Sequence, residues 1–543
     1  MLMDYFFDVV YSEGERKVFV DREYELMRLK LGLERIRNGE LVCFSLLAIR
    51  RSGKTLLIKE FIKHILEEKL GVSVVYIDAE SLPRDPLLAL RRIISWFIYW
   101  LTASLDELPE LFFDLGYALN KLPESMRDFA IRLLSLEDLD ALFRIAFRLL
   151  LNFRPVVVII DEFQDFLDIF RGEPIDVLGI IREMLTGGIM LIISGSALST
   201  MRKISSDFKS RFFGQFEVLE LRNFNVKEVW GLLENIWQLH VPEVAVRLIL
   251  KKTDGFPYYI VVTAKKAWEY HCSLGDPPWR YIDLAYFHEL VTVDGRINAH
   301  CRYIWNNYIL RAKRRKYAKD ILEILSIKGP LKPSEIASEL SIDYDVAYKT
   351  ISELENLGVV RRISDKYVPF SRTLALWLSY RRMSIEPSEL GPENKELLEI
   401  LRELERKIGK IYETIGTTFE IWVQELLSRI VGMTFLGDEL GITKIGELKV
   451  PPIIRYNVKL NGEIDAILEN SKKIAVSIKH GIITLKTLGK LSRKIKANIY
   501  WLIGKGFDTQ IVNKALRSKN IILSDIETLN RIAKKIGYRK WKE

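Results

Sequence analysis

Residues 48–55 read Ala-Ile-Arg-Arg-Ser-Gly-Lys-Thr. Gly53, Lys54 and Thr55 have the types and spacing of the end of a phosphate-binding loop, whose backbone N–H groups cradle phosphate oxygens. In such a loop Lys54 meets the β/γ-phosphates of a nucleotide and the Thr55 hydroxyl meets Mg²⁺. Arg50, Arg51 and Ser52 complete the candidate phosphate contacts. The first glycine of the pattern is replaced by Ala48, which is tolerable at negative φ and leaves the rate of hydrolysis open. A second constellation is Val-Val-Val-Ile-Ile-Asp-Glu-Phe at 156–163. A buried strand ending in two carboxylates would set Asp161 to hold Mg²⁺ through water and Glu162 to orient or deprotonate the attacking water. An isolated Asp-Glu after a strand is often structural, but its pairing with the upstream lysine argues for chemistry. Ser194-Gly195-Ser196 ends another apolar run, and Ser194 is the candidate to contact the γ-phosphate or the water. Arg211 could reach a neighbour's nucleotide as a finger or make a surface ion pair, with Arg202 and Lys209 as rivals.

These residues need elements to position them. The runs at 41–47, 72–77, 155–160 and 189–193 are continuous and apolar, and helical patterns separate them. That combination predicts a parallel sheet covered on both faces. Residues 84–150 read as helices. After about residue 222 the strands stop, and 223–310 reads as a helical region rich in Trp and Tyr. Residues 317–370 read as three helices and a hairpin, 386–395 as a linker and 396–430 as helical, and short strands return from 451. The expected architecture is multidomain α/β. A core carrying the phosphate-loop residues spans 1–222, a helical region 223–310, a three-helix and hairpin unit 311–385, a linker helix 386–410 and a basic domain 411–543.

At 543 residues the chain has room for several domains, and 48% hydrophobic with 28% charged residues is an ordinary globular composition. Its 3 cysteines, Cys43, Cys272 and Cys301, lie far apart. That argues against a disulfide scaffold or thiolate zinc site and for a reducing compartment. Acidic Asp4, Asp8, Glu13 and Glu15 are unlike a signal peptide, and the apolar run 93–103 is about half the length needed to cross a bilayer. We therefore expect a cytoplasmic protein without a membrane partner. Scarce Gln among many Lys, Glu and Ile leans towards a thermophile. Residues 471–543 hold 18 Lys+Arg against 4 Asp+Glu, while the whole chain carries only +9. A basic end on a mildly acidic body suggests a polyanion partner there, most simply nucleic acid such as DNA, the alternative being a solvated face.

The motifs at the front of the chain resemble the archaeal ATPase family within the AAA+/STAND group of P-loop NTPases. The match runs from Phe19-Val20-Asp21-Arg22-Glu23 through Arg50-Arg51-Ser52-Gly53-Lys54-Thr55, Asp161-Glu162 and Ser194-Gly195-Ser196 to Gly255-Phe256-Pro257. The resemblance implies ATP and Mg²⁺ as cofactors. It also implies that 1–222 is an ATPase core and 223–310 its helical lid, that Arg22 in segment 19–23 and the lid near Pro257 flank the adenine, and that a winged helix follows the lid; a finger in trans would imply a homo-oligomer. Residues 341–358 carry Asp343, Asp345, Glu353 and Glu355 against Lys349. DNA contact by the winged helix would therefore come from Arg361, Arg362 and the run Arg311-Lys313-Arg314-Arg315-Lys316, or the unit packs without touching DNA. The C-terminal region resembles restriction-endonuclease-like domains of the PD-(D/E)xK type. Gly416-Thr417-Thr418-Phe419-Glu420 opens a helix, Glu463-Ile464-Asp465 sits on one strand, and Ser477-Ile478-Lys479 ends the next. By that resemblance Glu420, Asp465 and Lys479 form a nuclease site. Ser477 stands where a carboxylate is expected, and Glu463 is the available replacement because it shares a face with Asp465. An ATP-driven motor on DNA, a slow nucleotide-dependent switch and a DNA-binding scaffold all remain open.

Overall fold

Four apolar runs and one half-polar run build the first sheet: β1 (Val42–Leu47), β2 (Ser73–Asp78), β3 (Val156–Asp161), β4 (Ile189–Gly195) and β5 (Phe216–Glu220). The computed structural model describes residues 19–538 apart from 21, 69, 103–113, 125–126, 128–137, 206–210, 213, 225, 309–313, 364, 384–386, 416–418, 452, 460–462, 470–471 and 480–481. The strand order is β2-β3-β4-β1-β5, and every pairing is parallel. All residues of β1, β3 and β4 are buried, which requires helices on both faces. One of these, Lys54–Glu67, buries Leu57, Ile58, Phe61, Ile62 and Ile65 at helical spacing. Between residues 84 and 150 the described helices are Pro86–Thr102, Leu115–Asn120 and Leu139–Leu150. The edge strand β5 is an addition to the sequence expectation. Its Glu217 is partly exposed and Glu220 exposed, so it lacks the continuous apolar run of its neighbours.

Parallel strands bring their C-terminal ends to one edge, where ligands of open α/β sheets bind. Here that edge carries the loop after β1, the Asp161-Glu162 pair at the end of β3, and Ser194–Ser196 at the end of β4. Because β4 lies between β1 and β3, its last residues stand between the lysine loop and the carboxylates.

The chain divides into two compact units, Met1–Leu221 and Arg222–Glu543. The second begins with helices Val226–Trp237, Glu243–Thr253, Pro257–Leu274, Ile282–Val291 and Arg296–Tyr303. Helices Arg315–Lys328, Pro333–Leu340 and Tyr344–Asn356 follow, then an antiparallel hairpin of β6 (Val360–Ile363) and β7 (Lys366–Pro369). Leu331 bridges to Tyr367 and adds a third short strand edge. Beyond helices Lys395–Ile415 and Phe419–Arg429 come the short strands β8 (Thr434–Leu436), β9 (Ile442–Thr443) and β10 (Glu447–Lys449). They precede β11 (Ile453–Lys459), β12 (Glu463–Glu469), β13 (Lys473–Ile478), β14 (Ile482–Ile483), β15 (Ile499–Ile503), β16 (Gly506–Phe507) and β17 (Ile521–Ser524). The main C-terminal sheet has the order β11-β12-β13-β15-β17-β9 and is mixed. Ala466, Val476 and Trp501 face one core, with Trp422 and Leu529 from helices Phe419–Arg429 and Ile526–Lys535. Ile467, Ala475 and Leu502 face another, with Leu488 and Ile511 from helices Leu485–Lys494 and Thr509–Arg517. The sequence reading missed β8–β10, which are two or three residues long, and β17. Among the described residues no helix is long and apolar enough to cross a membrane.

Gly255 turns the chain into helix Pro257–Leu274 at φ 76°, and its carbonyl accepts the Phe224 N–H at 2.7 Å. A Cβ there would lie 2.3 Å from the Phe224 carbonyl oxygen, whereas at Gly275, also at positive φ, it would meet nothing within 4 Å. Gly275→Ala should therefore cost only the left-handed backbone penalty, about 1 kcal/mol. Gly255→Ala should cost clearly more, because backbone atoms must also shift. Thermal unfolding of the two variants checks the order, and equal midpoints would contradict it.

Candidate nucleotide site

The loop between β1 and helix Lys54–Glu67 bends through two left-handed residues, Arg51 at φ 69° and Gly53 at φ 90°. Gly53 suits that conformation, while a non-glycine residue there stores strain. Ala48 is not among the positive-φ residues, so the missing first glycine costs nothing conformationally. The Ser52 hydroxyl and N–H both bond the Ile49 carbonyl, at 2.7 and 3.2 Å, which closes the loop on itself. The Arg22 guanidinium donates to the Ser52 carbonyl at 3.2 Å. Arg50 pairs with Glu80 at 2.9 Å.

Lys54 is 3% exposed. Its Nζ donates to the Ala48 carbonyl at 3.0 Å and lies 3.8 Å from a Glu162 carboxylate oxygen. Burial pushes the ammonium below its usual range, and Glu162 and Asp161 pull it back. Glu162 is itself left-handed, at φ 49°, and precedes helix Phe163–Ile169. Its Oε2 accepts the Ser196 N–H at 3.0 Å, the Ser196 hydroxyl at 2.8 Å and the Gln164 amide at 2.5 Å. Burial alone would raise this carboxyl; Lys54 and these hydrogen bonds hold it below the usual Glu range. It is thus an anion at neutral pH.

Asp161 is buried and ringed by donors. Oδ2 accepts the Thr55 hydroxyl at 2.7 Å and the Tyr76 hydroxyl at 3.4 Å. Oδ1 accepts the Glu162 N–H at 3.0 Å and the Ser194 hydroxyl. Asp78 stands opposite Asp161 in the β2–β3 ladder. Burial first, and then Asp161 and other carboxylates nearby, push Asp78 up to about 6.

The structure thus brings Gly53, Lys54, Thr55, Asp161, Glu162 and Ser194 together, with Arg22 and Ser52 behind the loop. Ser194 differs from its expected role: its hydroxyl is buried on Asp161, and Ser196 is the residue that reaches Glu162. Sequence reading named the stretch 194–196 but chose Ser194 over Ser196, and it missed Gln164 and Tyr76, whose side chains bond Glu162 and Asp161. Arg211 lies on the surface, paired with Asp176, and Arg202 pairs with Glu220 at 2.9 Å. Lys209 lies outside the described residues. Pro257 opens its helix in the second unit. Among the described residues no cluster of three His, Cys, Asp or Glu could hold a metal alone. One carboxylate and one hydroxyl suit Mg²⁺, which keeps waters and takes phosphate oxygens as further ligands.

In the second unit, Asp465 Oδ2 accepts the Ile478 N–H at 2.8 Å. Ser477 is buried, Lys479 is exposed, and the Lys479 N–H donates to the Ile503 carbonyl at 2.8 Å. Asp465 therefore does meet the end of β13. Glu463 lies on β12 and Glu420 on helix Phe419–Arg429, but both side chains fall outside the described residues, as do Gly416, Thr417, Thr418, Arg311 and Lys313.

Ser194→Ala would leave Asp161 Oδ1 short of a buried donor, so it should cost about 1–2 kcal/mol of stability. Ser196→Ala, at a partly exposed position, should stay within about 0.5 kcal/mol. Denaturant unfolding of both variants checks this, and the reverse order would contradict it.

No family model matches this chain, and no curated protein matches it. Among solved structures it is similar to the Walker-type ATPase of Pyrococcus abyssi, with a TM-score of 0.46 and 18% identity over 66% of this chain and 96% of that one. The Aeropyrum pernix ORC2 protein in its ADP form gives a TM-score of 0.39 at 14% identity, over 72% of this chain and 95% of that one. Cdc6p of Pyrobaculum aerophilum gives 0.32 at 14% identity, over 74% and 98%. These likenesses assign no chemistry.

Proposed function

We propose that this chain is a P-loop ATPase of the AAA+ kind, which binds ATP with Mg²⁺ at the Lys54 site, hydrolyses it and acts on DNA. The observation that carries the reading is the single network joining Lys54, Glu162, Asp161, Thr55 and Ser194 at the C-terminal edge of the parallel sheet. The N–H groups that open helix Lys54–Glu67 lack partners within the helix and suit phosphate oxygens. Lys54 would exchange Glu162 and Ala48 for the β/γ-phosphates. Thr55 and Asp161 would hold Mg²⁺, which neutralises phosphate charge when bound. Glu162, kept anionic and fixed by Ser196 and Gln164, would take a proton from the water that attacks the γ-phosphorus. The bond from that phosphorus to the bridging oxygen then breaks, leaving ADP and phosphate. Arg22, which donates to the Ser52 carbonyl of the loop, is proposed to stand beside the adenine.

The DNA reading rests on charge. Lys486, Lys490 and Arg493 are exposed at helical spacing on helix Leu485–Lys494, and Lys514 and Arg517 are exposed on helix Thr509–Arg517. The region 411–543 is proposed as a nuclease-like domain used to bind DNA rather than cut it. Ser477 supplies no negative ligand there, and one oxygen of Asp465 is already engaged by backbone. The three helices and hairpin of 315–369 are proposed as a winged helix, with Arg361 and Arg362 exposed on its wing. Arg211 is proposed as a finger within a homo-oligomer. Mixing Arg211→Ala with Glu162→Gln protein tests this, and no recovery of turnover would count against it. The free Cys43, Cys272 and Cys301 fit the proposed reducing cytoplasm.

Lys54→Ala should abolish nucleotide binding, whereas Glu162→Gln should bind ATP yet turn over at least ~100-fold more slowly. Phosphate release and nucleotide-binding assays check both. Wild-type turnover in Glu162→Gln would sink the assignment of the base.

DNA affinity should fall steeply with salt, roughly 500-fold between about 50 and 200 mM for about five phosphate contacts. Reversing Lys486, Lys490 and Arg493 to Glu in the full chain should flatten that dependence. An unchanged slope in fluorescence anisotropy titrations would move the DNA site elsewhere.

A further inference from the structure

The mechanism proposed for the Lys54 site leaves the ion pair between Arg50 and Glu80 unused. The Ser52 N–H bond to the Ile49 carbonyl closes a turn with Arg50 and Arg51 at its corners, the second of them left-handed. Glu80 belongs to the short turn Ala79–Ser81 that follows β2. Asp78 fixes that turn: its Oδ1 accepts the Glu80 N–H at 3.0 Å, and its carbonyl accepts the Ser81 hydroxyl at 2.7 Å. One guanidinium nitrogen of Arg50 stands 2.9 and 3.1 Å from the two Glu80 carboxylate oxygens. Strand order gives this pair its meaning. β1 and β2 are separated by β4 and β3, three strand spacings or about 14 Å. A residue after β1 that meets one after β2 therefore spans the ends of β4 and β3, where Ser194–Ser196, Asp161 and Glu162 lie. The Lys54 ammonium registers the same placement. Glu162, Asp161, Arg50 and Glu80 all act on it electrostatically, and Arg50 is the one cation among these four.

We propose that Arg50 reads the terminal phosphate of ATP and that Glu80 opposes this by holding the same guanidinium, so that the pair sets how strongly the site prefers ATP to ADP. The inference rests on the reading of the Lys54 site as an ATP site. The γ-phosphate must stand near Glu162, whose water attacks it, and the pair spans that place. A guanidinium fork matches phosphate oxygens in shape and charge. The two side chains are 34% and 41% exposed, and an ion pair so open to water adds little stability. A phosphate carrying more charge than one carboxylate competes well for its arginine. The sign of Glu80's effect does not depend on whether the pair opens. If Arg50 holds both anions at once, Glu80 still repels the phosphate. ADP ends at the β-phosphate, which the loop and Lys54 hold already, so it gains little from Arg50.

The test titrates a fluorescent non-hydrolysable ATP analogue and the matching ADP analogue, with Mg²⁺, into the full-length protein. Wild type is compared with Arg50→Gln, Glu80→Gln and the double variant. Arg50→Gln should weaken the ATP analogue roughly ten- to a hundredfold, the effect of losing a hydrogen-bonded charge. ADP binding should stay within about threefold, which also shows that the variant is folded. Glu80→Gln should act in the opposite direction and tighten the ATP analogue about two- to fivefold. The double variant should match Arg50→Gln, because Glu80 acts through Arg50. A pair that merely braces the loop would make both single variants weaker, and that result overturns the proposal. Equal loss of ATP and ADP in Arg50→Gln also overturns it, as does a gain from Glu80→Gln that persists without Arg50. A wild type that binds no nucleotide would overturn the site reading and this inference together. Normal binding with an unchanged ATP-to-ADP preference in Arg50→Gln would overturn this inference alone.

Discussion

A buried ammonium needs a counter-charge, and that requirement organises the first unit. Lys54 is almost fully enclosed, and burial of the charged form is unfavourable without partners. Its partners are the Ala48 carbonyl and the Glu162 carboxylate. The loop must therefore curl until its own carbonyl faces Nζ, and β3 must end where its second carboxylate can approach. With the lysine held only 3.8 Å from a carboxylate oxygen, a phosphate chain would not create the positive site. It would replace one anion with another.

The same arrangement explains where the backbone is unusual. Six described non-glycine residues have positive φ, and Arg22, Arg51 and Glu162 are three of them. Such residues persist only where surrounding contacts over-determine them. Arg22 is tied to the Ser52 carbonyl, and Glu162 to Ser196 and Gln164. Strand order does the rest. With β4 inserted between β1 and β3, Ser194 and Ser196 lie between lysine and carboxylates, one serving Asp161 and the other Glu162. Asp161 and Glu162 are adjacent in sequence yet have separate donor sets, which suits a division between holding a metal and handling a proton.

Much of this was legible in the sequence. Gly53-Lys54-Thr55 and Asp161-Glu162 declare themselves by type and by the apolar strands before them, and the three inner strands are continuous apolar runs. What was illegible depends on register between strands. Nothing near Tyr76 in the chain marks its hydroxyl; only the pairing of Tyr76 with Ile159 brings it to Asp161. Ser194 and Ser196 were visible as a pair, but which one would be buried on Asp161 depends on where β4 ends: Ser194 is still within the strand and Ser196 lies just past it. The strand β5 escaped because its glutamates break the apolar run, with Arg28 bonded to Glu217 at 2.7 Å. In the second unit, only the resemblance set Asp465 beside the end of β13, where its Oδ2 accepts the Ile478 N–H at 2.8 Å, and the short strands at 434–449 carry too few residues to show a period.

The central claim is that Lys54 exchanges Glu162 for phosphate. A crystal structure of the protein with Mg²⁺ and a non-hydrolysable ATP analogue tests it most directly. The account predicts β/γ-phosphate oxygens within hydrogen-bond distance of Lys54 Nζ, the Thr55 hydroxyl oxygen on the metal, and Glu162 facing the γ-phosphate through a water. An analogue bound elsewhere, with the Lys54–Glu162 contact intact, would contradict it.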